Sequence, residues 1–220
     1  MTQVTFVNGK YTATINGKVV KRTKREHMDY VLKKAGMTPN ASESKPVRES
    51  RFSINDRFGF VSDMVTMLCN GAQPSVVITG PGGLGKSYTV SKTLEANGFK
   101  DVSILDEDFA IGAPVPKNKF IVVKGHSTPK GLYRLLFENK DGVIVFDDCD
   151  SVLKDPVSLN LLKGALDSYS RRIISWRADI KDEDLPTTFE FKGRVVFISN
   201  LSSSQIDQAI ITRSMAVDLS

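Results

Sequence analysis

The sequence predicts an α/β protein: a three-layer sandwich with a parallel sheet between helices, preceded by a small β-β-β-α module. Three observations carry this. Apolar runs at Val76–Thr79, Phe120–Val123, Val143–Phe146 and Arg194–Ser199 lack polar alternation, as strands buried on both faces do. Stretches of helical periodicity separate those runs, the alternation that builds a parallel sheet. Residues 1–36 follow another pattern, with Asn-Gly pairs between short β-rich segments.

Taken in order, residues 4–20 predict a three-stranded meander turning at Asn8-Gly9 and Asn16-Gly17, because both residue types tolerate positive φ. A helix over 24–36 follows, with Met28, Val31 and Leu32 on one side and Gly36 ending it. Residues 37–50, with two prolines and three serines, read as a linker, so the larger domain spans 51–220. Phe58, Val61, Met64, Val65 and Leu68 place an amphipathic helix over 54–70. The strand Val76–Thr79 leads through a glycine-rich turn into a helix from Lys86 to Asn97. Strands at Val102–Leu105 and Phe120–Val123 precede a helix over Pro129–Asn139, capped by Ser127 or Thr128. After Val143–Phe146 come a helix at Pro156–Ser168, a strand at Arg194–Ser199, a short helix at Ser203–Ile211 and a last strand at Met215–Leu219.

Composition narrows the function classes. With 40% hydrophobic residues the chain can build a core, yet no apolar run is long enough for a membrane helix. The start of the chain lacks a signal-peptide pattern. Cys69 and Cys149 form no CxxC and have no neighbouring His pair, which argues against a metal site or a disulfide framework and fits a reducing compartment. The expected location is therefore cytoplasmic. The net charge of +5 is uneven: residues 1–36 carry eight Lys/Arg against Glu26 and Asp29, and the remainder sums to −1. That basic piece is either a solvated surface or a contact for nucleic acid or an acidic partner.

The stretch GPGGLGKS, from Gly80 to Ser87, fits G-x-x-x-x-G-K-[ST] in its required setting between strand and helix. Glycine is costly to order, so a cluster needs a reason. Here the missing side chains let backbone N–H groups converge on a phosphate, assisted by the helix N-terminus. Gly80, Pro81, Gly82, Gly83, Leu84, Gly85, Lys86, Ser87 and Tyr88 are the expected nucleotide-binding residues. Lys86 reaches the β- and γ-phosphates, and the Ser87 hydroxyl binds Mg²⁺. A second signal is Val143–Phe146 followed by Asp147 and Asp148, a buried strand delivering two acids to the sheet's carboxyl edge. Asp147 fits a Mg²⁺ ligand and Asp148 the base that polarises water. Asp150 reads as a cap for the next turn. The third signal is the apolar strand ending in Ser199 and Asn200, whose amide can hydrogen-bond the water or the γ-phosphate.

Together these motifs resemble the AAA+ ATPases, a branch of the P-loop NTPases, over residues 52–220. GPGGLGKS resembles their Walker A, VIVFDD their Walker B and FISN their sensor 1. The resemblance implies ATP and Mg²⁺ as ligands, ATP hydrolysis, and a homo-oligomeric ring, a hexamer by family habit. It also implies that Arg213, in AIITRS before the last strand, is an arginine finger reaching a neighbouring copy's γ-phosphate. Two departures stand out. Asp147-Asp148 replaces the family's usual Asp-Glu, as it often does in superfamily 3 helicases. The family's helical lid has no counterpart before Ser220, so the expectation is that either the lid is absent or the chain is a fragment.

Residues 171–177 and 187–192 alternate in strand fashion around a polar, acidic loop, a plausible β-hairpin resembling the one that precedes sensor 1 in an AAA+ clade. Arg171, Arg172, Trp176 and Arg177 offer phosphate contacts and one stacking surface, while the acids of the loop favour a structural or inter-subunit role. Packing is the default for His126 and Trp176. Three roles stay open: a nucleic-acid motor or loader, a remodeller of a protein client, and a nucleotide-gated scaffold with little turnover. A compact basic module on a minimal core suits a phage or plasmid protein, acting in the host cytoplasm if phage-encoded.

Overall fold

The computed structural model describes residues 4–7, 10–37, 52–103, 118–177 and 185–220. The chain forms two compact units, Met1–Arg51 and Phe52–Ser220. In the first, β1 (Thr5–Val7), β2 (Lys10–Ile15) and β3 (Lys18–Arg22) form an antiparallel meander. Asn16 and Gly17 turn the second hairpin with φ of 49° and 76°, as a two-residue primed turn requires. The other expected turn, at Asn8-Gly9, and the expected linker from residue 38 onward lie outside the described residues. Helix α1 (Arg25–Lys34) buries Met28 and Leu32 against Val4, Ala13 and Ile15.

The second unit begins with α2 (Ile54–Cys69), opened by a reciprocal capping box between Ser53 and Asp56. Then come β4 (Ser75–Thr79), α3 (Lys86–Ala96), β5 (Lys100–Asp101), β6 (Lys119–Lys124), α4 (Pro129–Glu138) and β7 (Val143–Asp147). After them are α5 (Ser151–Lys154), α6 (Pro156–Ala165), β8 (Ile173–Ser175), β9 (Thr188–Glu190), β10 (Arg194–Ser199), α7 (Gln208–Ile211) and β11 (Met215–Asp218). Six strands make a parallel sheet in the order β11-β4-β10-β7-β6-β5.

Alternate residues of the central strands enter two cores, which is why their sequences are apolar without interruption. Val76, Ile78, Val143, Val145, Val196 and Ile198 pack with α2 and α3. Val77, Ile144, Phe146, Val195 and Phe197 pack with α4, α6 and α7. The Phe146 and Phe197 rings lie 5.5 Å apart at 13°.

Several local expectations shift. The strand expected at Val102–Leu105 is displaced to Lys100–Asp101, with the Val102 amide donating to the Phe120 carbonyl and the Ser103 hydroxyl accepting from the Val122 amide; residues 104 and 105 lie outside the described set. The helix expected over Ser203–Ile211 is a 3₁₀ turn at Ser203–Gln205 followed by α7, because Asp207 caps the second piece through the Ala209 amide. The helix after Pro156 ends at Ala165. Thr128, not Ser127, caps α4 by accepting the Gly131 amide. β8 and β9 pair antiparallel as an isolated hairpin; residues 178–184 between them lie outside the described set.

Candidate active site

Three strand ends meet at the carboxyl edge of the sheet. β10 lies between β4 and β7, with Ser199 level with Thr79 and Ile198 level with Asp147. This register gathers the loop after β4, the acids after β7 and Asn200 around one cleft of about 220 Å³. Gly82, Gly83, Leu84, Gly85, Lys86, Ser87, Tyr88, Asp147, Asp148 and Asn200 line it.

The loop is shaped by left-handed glycines, with φ of 80° at Gly83 and 90° at Gly85. At Gly80, φ is 137° and a Cβ would lie 2.9 Å from that of Leu219, so the last strand closes directly on the loop's first residue. Gly85 opens α3 without a capping side chain, so the helix's first N–H groups have no side-chain acceptor. That is the donor set an anion needs.

Lys86 is only 6% exposed, and its Nζ donates to the carbonyls of Gly80 (2.7 Å) and Pro81 (2.8 Å) and to Asn200 Oδ1 (2.9 Å). Burial lowers its pKa from the ordinary lysine value; the nearby Asp148 and Asp147 pull the other way. Gly80 and Pro81 thus serve the lysine rather than line the cleft. Asn200 is the link, since its Nδ2 donates to Asp148 Oδ1 at 2.8 Å. Asp148 itself has φ of 52° and donates its N–H to Ile198 at 3.0 Å. A left-handed aspartate is uncommon and locally strained, which fits a side chain held for chemistry.

Asp147 is buried at the end of β7, and both its oxygens are engaged. Ser87 Oγ donates to Oδ1 at 2.7 Å, and Lys124 Nζ lies 3.2 Å from Oδ2. The Ser87 and Asp147 oxygens form a hard donor pair of the kind that would suit Mg²⁺. Among the described residues no cluster of three or more His, Cys, Asp and Glu is arranged to hold a metal.

Lys124 escaped the sequence reading. It ends β6, directly beside Asp147 in register, a neighbour relation that appears only once the strand order is known. Asp150 does not cap with its side chain; its carboxylate instead accepts from Ser199 Oγ at 2.7 Å, because β10 ends beside it. Arg213 is not brought to the cleft. It precedes β11, whose first residue pairs with Val76, so it stands at the sheet's amino edge while the glycine loop leaves the carboxyl edge. Its Nη1 donates to the Ala209 carbonyl.

The hairpin arginines are partly committed. Arg172 donates to the carbonyls of Ala165 and Gly193, both at 2.8 Å, and lies over the Phe191 ring. Arg171 pairs with Glu190 at 3.2 Å. Trp176 packs on Tyr133, with ring centroids 5.9 Å apart, whereas His126 is exposed and fills no core. No helix among the described residues is long and apolar enough to cross a membrane.

No protein-family model matches the chain. It is 28% identical over 231 residues to an uncharacterised 36.7 kDa protein of the nrdC-mobD intergenic region of Enterobacteria phage T4. That alignment covers 96% of this chain and 66% of the phage protein, so the chain spans just under two thirds of that relative's length. Among solved structures, the chain is similar to C. elegans PCH-2 with a TM-score of 0.39 and 14% identity, over 76% of this chain and 42% of that one. A likeness of that size bears on neither fold nor activity.

Proposed function

We propose that the chain binds and hydrolyses ATP with Mg²⁺, as an AAA+ type P-loop ATPase acting in a ring assembly. The observation that carries this reading is the convergence of Lys86, Ser87, Asp147, Asp148 and Asn200 on one cleft at the sheet's carboxyl edge. The loop amides and Lys86 bind the β- and γ-phosphates. Ser87 and Asp147 hold the metal, which when bound offsets the charge developing on the phosphate oxygens. Asp148 takes a proton from the attacking water as its oxygen bonds to the γ-phosphorus and the bond to the β-phosphate oxygen breaks. Asn200, bonded to both Lys86 and Asp148, sets the base relative to the lysine. Arg213, remote from its own cleft, serves a neighbouring copy.

The work that turnover drives is proposed as remodelling or translocation of nucleic acid. Its support is the basic first unit, where Lys18, Lys21, Arg22 and Lys24 are exposed. A protein client is the alternative partner for the same unit. A nucleotide-gated scaffold with little turnover is favoured by one contact: Asn200 holds both Lys86 and Asp148, a closed network that nucleotide must open. The phage relative suits action in a host cytoplasm.

ATPase assays separate these readings. Turnover that rises several-fold with DNA or RNA, and loses that rise at high salt, supports the nucleic-acid role. Indifference to nucleic acid with stimulation by a protein client supports the second. Tight ATP binding without turnover at any protein concentration supports the scaffold. Failure of the wild-type chain to bind ATP overturns all three.

A further inference from the structure

A second cleft, of about 690 Å³, opens at the opposite, amino edge of the same sheet. Arg172, Lys192, Arg194 and Arg213 line it, with Asp167 as its one acid. The Asp167 carboxylate accepts the neighbouring Ser168 amide at 2.7 Å. Lys192 is exposed and 4.0 Å from Glu190. Burial, and then the charge of Arg194, hold the Arg172 guanidinium below its usual pKa.

Arg194 is the informative residue. It is partly buried, and its guanidinium lies against the Gly71 turn, where a Cβ built on Gly71 would be 3.5 Å from Nη2. Its backbone N–H donates to the Gly142 carbonyl at 2.9 Å and the Cys69 thiol lies within reach of its charge, but among the described residues no carbonyl or carboxylate takes a hydrogen bond from its guanidinium. A partly buried guanidinium facing another cation, without a counter-ion, is an arrangement that a bound anion relieves.

We propose that this cleft is a second phosphate-binding site, in which Arg194, with Arg213 and Lys192, receives the phosphate chain of a nucleotide. Four cations against Asp167 in the lining, with Glu190 beside Lys192, leave an excess that calls for a multiply charged anion, and a guanidinium fork matches phosphate oxygens two at a time. A carboxylate side chain would neutralise one charge of the excess. The volume lies in the range of small-molecule sites. Tyr169, 75% exposed in the same lining, adds an aromatic ring for a base. The phosphate chain is that of a free nucleotide; contact of Arg213 with a nucleotide held by a second copy belongs to the assembly already proposed and is the opposing outcome of the test.

The test uses the full chain with Lys86→Ala, which silences the first cleft, and compares it with Lys86→Ala/Arg194→Gln and Lys86→Ala/Arg194→Lys. In one arm each protein is titrated calorimetrically with inorganic tripolyphosphate. In the other, each is mixed with wild type preloaded with a non-hydrolysable ATP analogue, and association is followed by sedimentation. The free-nucleotide site predicts at least tenfold weaker tripolyphosphate binding in the Gln variant and partial recovery in the Lys variant. The same ordering in sedimentation alone, with equal tripolyphosphate binding, overturns the free-nucleotide site in favour of contact with a second copy's nucleotide. Equal behaviour of all three proteins in both arms overturns the site. So does a Glu-rich peptide that competes as well as tripolyphosphate, or a loss in the Gln variant that tracks a lowered melting temperature and is not recovered by Lys. Failure of the ATPase reading shows elsewhere, as undiminished nucleotide binding on going from wild type to Lys86→Ala.

Discussion

At the scale of single residues, the cleft is a network with Asn200 at its centre. Asp148→Asn removes the proton acceptor while keeping an amide that can still face Asn200. Turnover should fall about 10²–10⁴-fold with ATP affinity within a fewfold of wild type, measured by steady-state kinetics beside equilibrium binding. Unchanged turnover would remove Asp148 from the base role. Lys86 ties the site to stability as well. Because burial lowers its folded-state pKa, the unfolded chain binds more protons in the window between that pKa and the ordinary lysine value. The Lys86 contribution to stability should rise with pH across this window, while the raised Cys69, Cys149 and Tyr133 values act in the opposite sense, so Lys86→Met should make the slope of denaturant midpoint against pH less positive than in the wild-type chain.

Among the elements, the central strands tolerate little change. Phe197→Ala in β10 should cost about 3–5 kcal/mol in urea unfolding, since its ring is buried against Phe146. Gly193→Ala, just ahead of β10, should cost about 1–3 kcal/mol, because its Cβ would lie 2.7 Å from the Phe191 ring and 2.9 Å from the Gly142 carbonyl. The strands and the loop after β4 were legible because their chemistry is local: uninterrupted apolar runs, glycines at fixed spacing, acids at a strand end. Asp147, Asp148 and Asn200 could be named for the same reason. What escaped depends on neighbours distant in sequence. Lys124 matters only beside β7, Leu219 only above Gly80, and Asp150 found Ser199 instead of a helix end. The 3₁₀ break before α7 turns on one aspartate in competition with helical periodicity, and β5 starts two residues early because its pairing with β6 sets its place.

For the whole molecule, Arg213 and the glycine loop occupy opposite edges of one sheet, so a single copy cannot bring them together. Arg213→Ala should lower turnover by about 10³-fold or more without loss of ATP binding, and mixing it with Lys86→Ala should restore part of the activity, as some composite sites then pair an intact Lys86 with an intact Arg213. Sedimentation with ATP and Mg²⁺ against neither should show the larger particle with nucleotide. One further consequence follows from β11. It is four residues long, roughly 13 Å of extended chain, with Arg213 just before its head and Leu219 seated on Gly80 just past its tail. Extended backbone hardly shortens under load, so this strand works as a pushrod. In the proposed assembly, a protomer that gripped Arg213 would shift the loop on which its neighbour's own Lys86 is tethered, and would so couple one copy's cleft to the next. Slower hydrogen exchange at residues 80–86 on assembly, absent in Arg213→Ala, is the signature to look for.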